Sequence, residues 1–232
     1  MNCLIITLDL DWACEASIEE ALVFFKDRNI PPTLFSTHCS EVVETNISLL
    51  DVGLHPYFHP QSSHGSTIDE VVHHVMDLPH NLAAFRCHRF ASCNSSRQAM
   101  QEAGMKISSN VCTDLQQVTP FRDRFGLLEV PIFLEDGGYL YRKHPMEIHP
   151  RLEESLMTKD PKVLLIHPMH LSLNTPEFGY MQKIKQSMNR TDWNTLTKKD
   201  LRKLRWKGRG IRDLLVDLLQ LPHQATTLKE LL

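Results

Sequence analysis

Short aliphatic runs alternate with amphipathic stretches along the first two thirds of the chain. Runs such as Cys3–Asp9 and Lys162–His167 are rich in aliphatic and β-branched residues, which is typical of buried strands. Between such runs, Ser17-x-x-Glu20 and Thr67-x-x-Glu70 are capping-box signals, and apolar residues recur behind each at helical spacing. The pattern therefore predicts an α/β fold of repeated βα units, with parallel strands covered by helices.

The number of strand-like runs favours a barrel. About seven of them occur by residue 167, which suits a distorted (β/α)7-type barrel better than an open nucleotide-binding sheet, and the sequence has no G-x-G-x-x-G or P-loop motif. Asp-Gly-Gly at 136–138 indicates a turn between strands. Beyond residue 174 the pattern is purely helical. We therefore predict a barrel over residues 1–173 and a helical C-terminal extension over residues 174–232 that packs on the barrel within a single domain.

Composition and charge exclude several classes of protein. With 42% hydrophobic and 23% charged residues, the chain is neither disordered nor fibrous. A formal net charge of −3 argues against a nucleic-acid partner. No apolar run approaches the ~18 residues of a membrane span. The first residues lack the basic segment of a signal peptide, and the six cysteines form no C-x-x-C pair. We therefore expect a cytoplasmic protein with reduced thiols.

The first candidate site residues are two acids at the end of the first strand. Asp9 and Asp11 are two positions apart, so their carboxylates point to one face of the strand. One of them can bind a metal ion while the other faces the water on that ion, although acids at strand ends are also often only solvated. The 13 histidines of the chain point towards a metal site, because histidine is the commonest metal ligand.

The second candidate group is a pair of histidines. His55 and His59 have the i, i+4 spacing that places two imidazoles on one side of a helical turn, and Pro56 suits the first position of such a turn. Two histidines and one carboxylate are a usual ligand set of a catalytic zinc ion. The spacing therefore predicts that His55 and His59 bind one divalent ion together with one of the two acids, Asp9 or Asp11. His64 is either a loop residue or a further member of the site.

Two further strand ends carry residues suited to catalysis. Arg86 follows a short strand-like run, where an arginine can hold a neighbouring carboxylate ionised and oriented. His167 ends a buried strand, where an imidazole is well placed to act as a general acid. Taken singly, each residue is equally compatible with a structural role.

In their order along the chain, these motifs resemble those of the polysaccharide deacetylases, the NodB-like carbohydrate esterase family 4, over roughly residues 3–170. The resemblance implies that Asp9 is the catalytic base and Asp11 a metal ligand, although the family has adjacent acids where this chain has D-x-D. It also implies that the H-x-x-x-H motif of the family corresponds to His55 and His59, the other two ligands.

The remaining motifs of the family match less completely. The resemblance implies that Arg86 orients the catalytic base and that His167 is the general acid. His88 stands where the family has a proline, two residues after the arginine. The fourth motif of the family, an Asp and a Trp that line the pocket, has no clean counterpart near Glu129–Pro131 or Glu135–Asp136. The resemblance therefore implies neither the shape of the substrate pocket nor the group that sets the pKa of His167.

The function that the resemblance implies is metal-dependent hydrolysis of an N-acetyl group on an amino sugar. The chain is similar to variants encoded with surface-polysaccharide biosynthesis enzymes, so we expect a surface-polysaccharide or lipopolysaccharide precursor as substrate. Zinc is the expected ion, with cobalt, nickel or manganese as alternatives. Two other functions stay open. One is hydrolysis of another C–N bond, such as that of a formamide or a cyclic amide. The other is glycan binding by a barrel without catalysis.

A basic segment near the C-terminus bears on the partner. Residues 183–212 hold eleven Lys and Arg side chains against Asp192 and Asp200. The segment is either a solvated helix face or a surface for an anionic group. Such a group is the diphosphate of a nucleotide- or lipid-linked sugar, or the headgroups of an anionic membrane surface.

Overall fold

A curled β-sheet organises the computed structural model, which describes residues 2–158 and 160–232. Its strands are β1 (Asn2–Asp9), β2 (Thr33–Ser36), β3 (Asp51–Leu54), β4 (Ala84–Phe85), β5 (Ile107–Ser108), β6 (Phe121–Arg122), β7 (Leu128–Glu129), β8 (Ile132–Glu135), β9 (Lys162–Ile166) and β10 (His223–Thr226). They lie in the order β6-β7-β5-β4-β3-β2-β1-β9-β8, and β10 pairs with β1 outside this path. All pairs are parallel except that of β6 and β7.

The two ends of the sheet approach each other beyond β5. The backbone N–H groups of Thr113 and Leu115 donate hydrogen bonds to the carbonyl oxygens of Ile132 and Phe133 in β8, at 2.9 and 2.8 Å. The sheet therefore curls into a distorted barrel whose neighbouring strands are nearly all parallel. This confirms the predicted α/β barrel class. The carboxyl ends of the strands consequently meet at one rim.

Helices cover the outside of the sheet. They are α1 (Glu15–Lys26), α2 (Glu41–Asn46), α3 (Ile68–Met76), α4 (Asn94–Glu102), α5 (Asp136–Tyr141), α6 (Pro150–Leu156), α7 (Pro168–Leu173), α8 (Phe178–Gln186), α9 (Arg190–Asn194), α10 (Lys198–Leu204) and α11 (Ile211–Gln220). The predicted capping box at Thr67 is confirmed. Ser17 does not cap, because α1 begins at Glu15 and the Ser17 hydroxyl donates to the Cys14 carbonyl at 2.7 Å.

The central strand β1 is buried on both faces. Ile6 and Leu8 pack with apolar side chains of the helical layer, whereas Ile5 packs with Val163 and other residues of the barrel interior. Each such side chain contributes about 1.5–3 kcal/mol when fully buried. This is why the first strand is a nearly continuous apolar run, and why its first charged residue, Asp9, marks the point where the strand reaches the rim.

The prediction of a purely helical segment beyond residue 174 is wrong at its end. His223–Thr226 forms β10, with His223 opposite Asn2 and Thr226 opposite Ile5 of β1. Strand β2 pairs only with the last residues of β1, so the first half of that edge is open and β10 fills it. Unpaired backbone groups in a buried strand are costly, which explains a strand in a stretch without a clear apolar pattern. The domain division at residue 173 stays a prediction.

Acidic residues of α1 hold the C-terminal helices against the barrel. Glu20 accepts hydrogen bonds from Arg205 and from Arg212, the latter at 2.8 Å. Glu19 is paired with Lys198 at 2.5 Å. These contacts bring part of the basic segment onto the barrel, so its charge is partly neutralised within the protein.

Gly53 allows the two strands that lead to the site to lie close together. It is buried in β3, two residues before His55, and a Cβ atom at this position would lie 2.6 Å from the carbonyl oxygen of Ala84 in β4. We expect Gly53→Ala to lower the free energy of unfolding by about 1–3 kcal/mol, because one strand must shift. Urea denaturation followed by circular dichroism measures this change.

Gly179→Ala is the matched control for this substitution. Gly179 lies in α8, where the nearest atom to an added Cβ is the Lys183 Cε at 3.9 Å. The control should therefore leave stability unchanged or raise it by ~0.5–1 kcal/mol. If the two variants were equally stable, the close approach of β3 and β4 would not require a glycine at position 53.

Candidate active site

Polar side chains from four parallel strands meet at the carboxyl rim of the barrel. Five of the six residues predicted from the sequence lie within contact range of one another there. They are Asp9, Asp11, His55, Arg86 and His167. Each lies at the end of β1, β3, β4 or β9 or within two residues after it, so the parallel arrangement of these strands is what assembles the site.

Arg86 and Asp9 form a buried ion pair at the base of the site. The Arg86 Nη1 donates to Asp9 Oδ1 at 2.7 Å and to Thr7 Oγ1 at 2.9 Å, and its Nε and Nη2 donate to Ser109 at 3.1 and 2.8 Å. Burial alone would raise the pKa of Asp9, but the charge of Arg86 lowers it below its ordinary value. Asp9 is therefore ionised, and its Oδ2 lies 3.7 Å from the Nδ1 of His55.

Asp11 and His55 are buried without hydrogen-bond partners. Among the residues that the structure describes, both carboxylate oxygens of Asp11 and both ring nitrogens of His55 are unsatisfied. Burial raises the pKa of Asp11 and lowers that of His55 to about 4. Each unsatisfied buried polar group costs about 1–3 kcal/mol or more. A cation bound between the two side chains would accept lone pairs from the Asp11 oxygens and from a His55 ring nitrogen, and would satisfy these atoms.

His88 supplies a third atom beside this pair. Its Nδ1 lies 3.3 Å from Asp11 Oδ2, and the His55 Nε2 lies 3.7 Å from Asp11 Oδ1. One ligand atom from each of the three residues lies within 4.8 Å of the other two. Two ligand atoms of a tetrahedral zinc ion, with bonds of ~2.1 Å, are about 3.4 Å apart. The spacing and the unsatisfied atoms therefore fit one divalent ion.

The predicted helical turn from His55 to His59 is absent. Residues 55–58 form no helix. The backbone N–H of His55 donates to the Ser36 carbonyl at 2.9 Å and continues the direction of β3, and the N–H of His88 donates to the Pro56 carbonyl at 2.8 Å. Without the turn, the i, i+4 spacing no longer places the two imidazoles on one side.

His59 consequently lies apart from the cluster. It is exposed, its ring stacks on Tyr57 at a centroid distance of 5.6 Å, and its Nδ1 lies 2.6 Å from the carbonyl oxygen of Pro60. The position beside Asp11 that was expected for His59 is taken by His88. The sequence contained a signal for this, because His88 follows a strand end two residues after Arg86.

A tight backbone turn holds His88 in place. Arg89 and Phe90, which follow it, both have left-handed φ angles, of 55° and 56°. This region is uncommon for residues other than glycine. The Tyr57 ring packs edge-on against the His88 ring at 4.5 Å, and burial lowers the pKa of His88 to about 4. The imidazole is therefore neutral, as a metal ligand must be.

His167 differs from these two histidines because a carboxylate holds it. Its Nδ1 lies 2.6 Å from Asp136 Oδ1, and its backbone N–H donates to Asp136 Oδ2 at 2.7 Å. Burial would lower the pKa of His167, but the charges of Asp136 and Asp11 raise it well above its ordinary value. A carboxylate only accepts, so Nδ1 carries a proton and Nε2 faces Asp11 Oδ1 at 3.5 Å.

Asp136 is a site residue that the sequence reasoning missed. The predicted turn at 136–138 is the start of α5, and Asp136 directly follows β8, which is the parallel neighbour of β9. The two strands therefore end side by side, which places Asp136 beside His167. The available signal was an acid at the end of an apolar strand.

Two other histidines have structural partners. The His64 Nδ1 accepts from the Tyr57 N–H at 3.2 Å, and its Nε2 lies 3.0 Å from the Thr37 carbonyl oxygen, so this ring joins two loops. The His170 Nδ1 lies 3.0 Å from the Thr175 hydroxyl, and burial lowers the pKa of His170 to about 4.

A cleft of about 790 Å³ opens above the cluster. One side presents Asp11, Trp12, Tyr57 and His88, and the other side presents residues of α8, α9 and the link between them. The latter are Lys185, Met188, Asn189, Arg190, Trp193 and Asn194. The C-terminal helices thus form a wall of the cleft. The Trp193 Nε1 fixes this wall by donating to the Trp12 carbonyl at 2.7 Å.

Comparison with known proteins identifies the family. A sequence model of the WbmS-like polysaccharide deacetylases matches residues 6–185. The chain belongs to the WbmS-like polysaccharide deacetylase family. This membership confirms the resemblance that the strand-end motifs predict. A comparison with curated proteins finds no significant match.

Solved structures of other polysaccharide deacetylases share the fold. A protein from Bordetella bronchiseptica, described as a candidate polysaccharide deacetylase involved in O-antigen biosynthesis, superposes with a TM-score of 0.81 at 20% identity, covering 93% of this chain and 89% of its own. A candidate polysaccharide deacetylase from Mycobacterium smegmatis gives 0.56 at 11% identity, covering 99% and 88%. Among the described residues, no helix is long and apolar enough to cross a membrane.

We expect His88→Ala to weaken zinc binding more strongly than the ~10–100-fold typical of losing a residue that only supports a ligand. His59→Ala, the matched control, should bind zinc like the wild type, because His59 lies outside the cluster. Competition with a chromophoric chelator measures the affinity, and elemental analysis measures the metal content. Loss of zinc in His59→Ala with retention in His88→Ala would reverse this assignment.

Proposed function

We propose that the protein is a metal-dependent hydrolase that removes the N-acetyl group of an amino sugar in a surface-polysaccharide precursor. The observation that carries this proposal is that the two aspartates at the rim have different surroundings. Asp9 is ionised by Arg86, and Asp11 lies unsatisfied 3.7 Å from His55. This arrangement provides a base beside a metal site. His167 provides a proton donor that faces the same point.

Asp11, His55 and His88 would hold the ion. Two imidazoles and one carboxylate are a usual ligand set of catalytic zinc and leave a position open for water. Zinc is therefore the first candidate, and cobalt, nickel and manganese are alternatives. When bound, the ion would lower the pKa of its water and polarise the acetyl carbonyl.

The residues of the chain would supply the proton transfers. Asp9 takes a proton from the water as the water oxygen attacks the acetyl carbon, and Arg86 keeps Asp9 ionised and correctly turned beforehand. The C–N bond then breaks, and His167 donates a proton to the sugar nitrogen so that it departs as a neutral amine. Asp136 orients His167 for this step by accepting from its Nδ1. The products are acetate and a free amino sugar.

The substrate belongs to surface-polysaccharide synthesis in this proposal. Support comes from the family and from the Bordetella bronchiseptica protein, which is described as involved in O-antigen biosynthesis. The acetamido sugar would be nucleotide- or lipid-linked and would reach the enzyme in the cytoplasm. Contact with an anionic membrane surface through residues 183–212 stays a prediction.

Acetate release from a panel of free, nucleotide-linked and lipid-linked N-acetyl sugars tests the proposal. We expect zinc-loaded wild type to release acetate from at least one of them. Asp9→Asn should keep its zinc and lose about 10²–10⁴-fold in kcat, because an amide does not accept the proton of the water. Elemental analysis of the same Asp9→Asn sample shows whether activity is lost because the metal is lost or because the base is lost.

Other outcomes of this experiment would contradict particular parts of the proposal. Asp9→Asn losing zinc while Asp11→Asn keeps it would exchange the roles of the two acids. Sugar binding without acetate release would indicate a glycan-binding barrel, and release of formate or opening of a cyclic amide would indicate a different C–N bond.

The role of Asp136 gives a separate prediction. Asp136→Asn should keep zinc and lower kcat about 10²-fold or more, with a smaller change in KM, because an asparagine has one acceptor oxygen for the two N–H groups of His167 and no charge to raise the pKa of its ring. Asp123→Asn is the control, since Asp123 pairs with Arg97 at 2.7 Å outside the site. It should affect stability without affecting kcat. Steady-state kinetics measures kcat and thermal unfolding measures stability, and an unchanged kcat in Asp136→Asn would show that Asp136 does not position the proton donor.

A further inference from the structure

The eleven cations of the basic segment differ in their partners. Six of them form ion pairs with acids of the protein: Lys183, Lys198, Lys203, Arg205, Arg209 and Arg212. The other five have no ion pair among the described residues, and two of these five, Lys185 and Arg190, line the cleft above the metal-ligand cluster. These two charges are therefore available to a molecule in the cleft.

Lys185 lies close to the reaction centre. Its ammonium group is 4.6 Å from the centroid of the Trp12 ring and 5.7 Å from that of Trp193. The His167 ring also neighbours Trp12 and stacks with it at a centroid distance of 6.3 Å and an interplanar angle of 14°. Lys185 and the proposed proton donor thus lie beside the same aromatic ring. Contact with an aromatic face positions an ammonium group without neutralising its charge.

The acids of the cleft do not neutralise these cations. Glu15 also lines the cleft, but its Oε2 accepts hydrogen bonds from the Ser40 hydroxyl at 2.9 Å and from the Val42 N–H at 3.0 Å, and among the described residues it forms no ion pair with Lys185 or Arg190. Asp11 is the other acid, and a divalent ion at that carboxylate would offset its charge. Arg190 begins α9 on the same wall as Lys185. With a divalent ion bound at Asp11, the cleft would therefore carry a positive electrostatic potential, which favours an anionic ligand.

We propose that Lys185 and Arg190 bind a carboxylate or phosphate group carried by the acetamido sugar or by the residue linked to it. The substrate of the site is then an anionic N-acetyl sugar. This inference rests on the proposed deacetylase function. A lysine binds either anion as a compact point charge, and an arginine adds a planar fork that matches carboxylate and phosphate oxygens. The cleft volume of about 790 Å³ leaves room for the sugar itself.

Three small ligands distinguish the sources of the charge. They are the methyl glycoside of N-acetylglucosamine, the methyl glycoside of N-acetylglucosaminuronic acid, and N-acetylglucosamine 1-phosphate. Calorimetric titration of the zinc-loaded protein gives Kd for each. We expect one or both anionic ligands to bind more tightly than the neutral glycoside. Lys185→Gln and Arg190→Gln should each weaken anion binding about tenfold and change neutral binding less than about twofold. The anion that shows this dependence identifies the group recognised.

Lys183→Gln is the matched control, because Lys183 lies on the same helix and pairs with Glu177 at 3.1 Å outside the cleft. It should bind all three ligands like the wild type. An equal loss in this control would assign the effect to the overall surface charge and overturn the proposal. Equal Kd values for neutral and anionic ligands, or binding of none of them, would also overturn it.

Acetate release measured on the same ligands separates this inference from the proposed function. Anion binding that depends on Lys185, without any acetate release, would keep the anion site and reject the hydrolysis. Acetate release at equal kcat/KM from neutral and anionic sugars, unaffected by Lys185→Gln, would keep the hydrolysis and reject the anion site.

Discussion

The buried ion pair between Arg86 and Asp9 is the interaction on which the site depends. Arg86 reaches across the barrel from the end of β4 and donates to residues of β1 and to Ser109 beyond β5, so one side chain connects the ends of three strands, of which β1 is separated from β4 by β2 and β3. Removing one partner of such a pair typically costs 3–5 kcal/mol, because the other charge is left buried and unpaired. The same contact decides which acid is free. Asp9 is committed to the guanidinium, and Asp11 remains for a cation.

Environment, more than residue type, distinguishes the ionisable groups of the site. Burial without an acid in hydrogen-bonding contact lowers the pKa of His55 and His88 to about 4, whereas Asp136 raises that of His167. Two histidines are therefore neutral and suited to bind a metal, and one is protonated and suited to donate a proton. Groups whose pKa values are driven apart within a few ångströms are typical of hydrolytic sites.

The C-terminal helices form one wall of the cleft above these groups. They are anchored on α1 through Glu19 and Glu20, and the chain then returns to the sheet as β10. This anchoring places α8 and α9 above the rim and turns an open barrel end into a cleft. Lys185 belongs to that wall, so the helices beyond β9 would contribute the charge that the proposed substrate meets. The proposed catalytic residues and the proposed anion-binding residues thus come from different parts of the fold.

The sequence by itself determined the barrel class and most of the rim residues. Buried parallel strands are apolar along nearly their whole length. Asp9, Arg86 and His167 are therefore recognisable in the sequence as polar residues at strand ends. Tertiary structure decided the rest. His88 takes the place expected for His59 because β3 continues as extended chain, and the backbone hydrogen bonds that prevent a helical turn come from neighbouring segments. Asp136 likewise meets His167 only because β8 and β9 are neighbours in the sheet, a pairing that spacing along the chain does not encode.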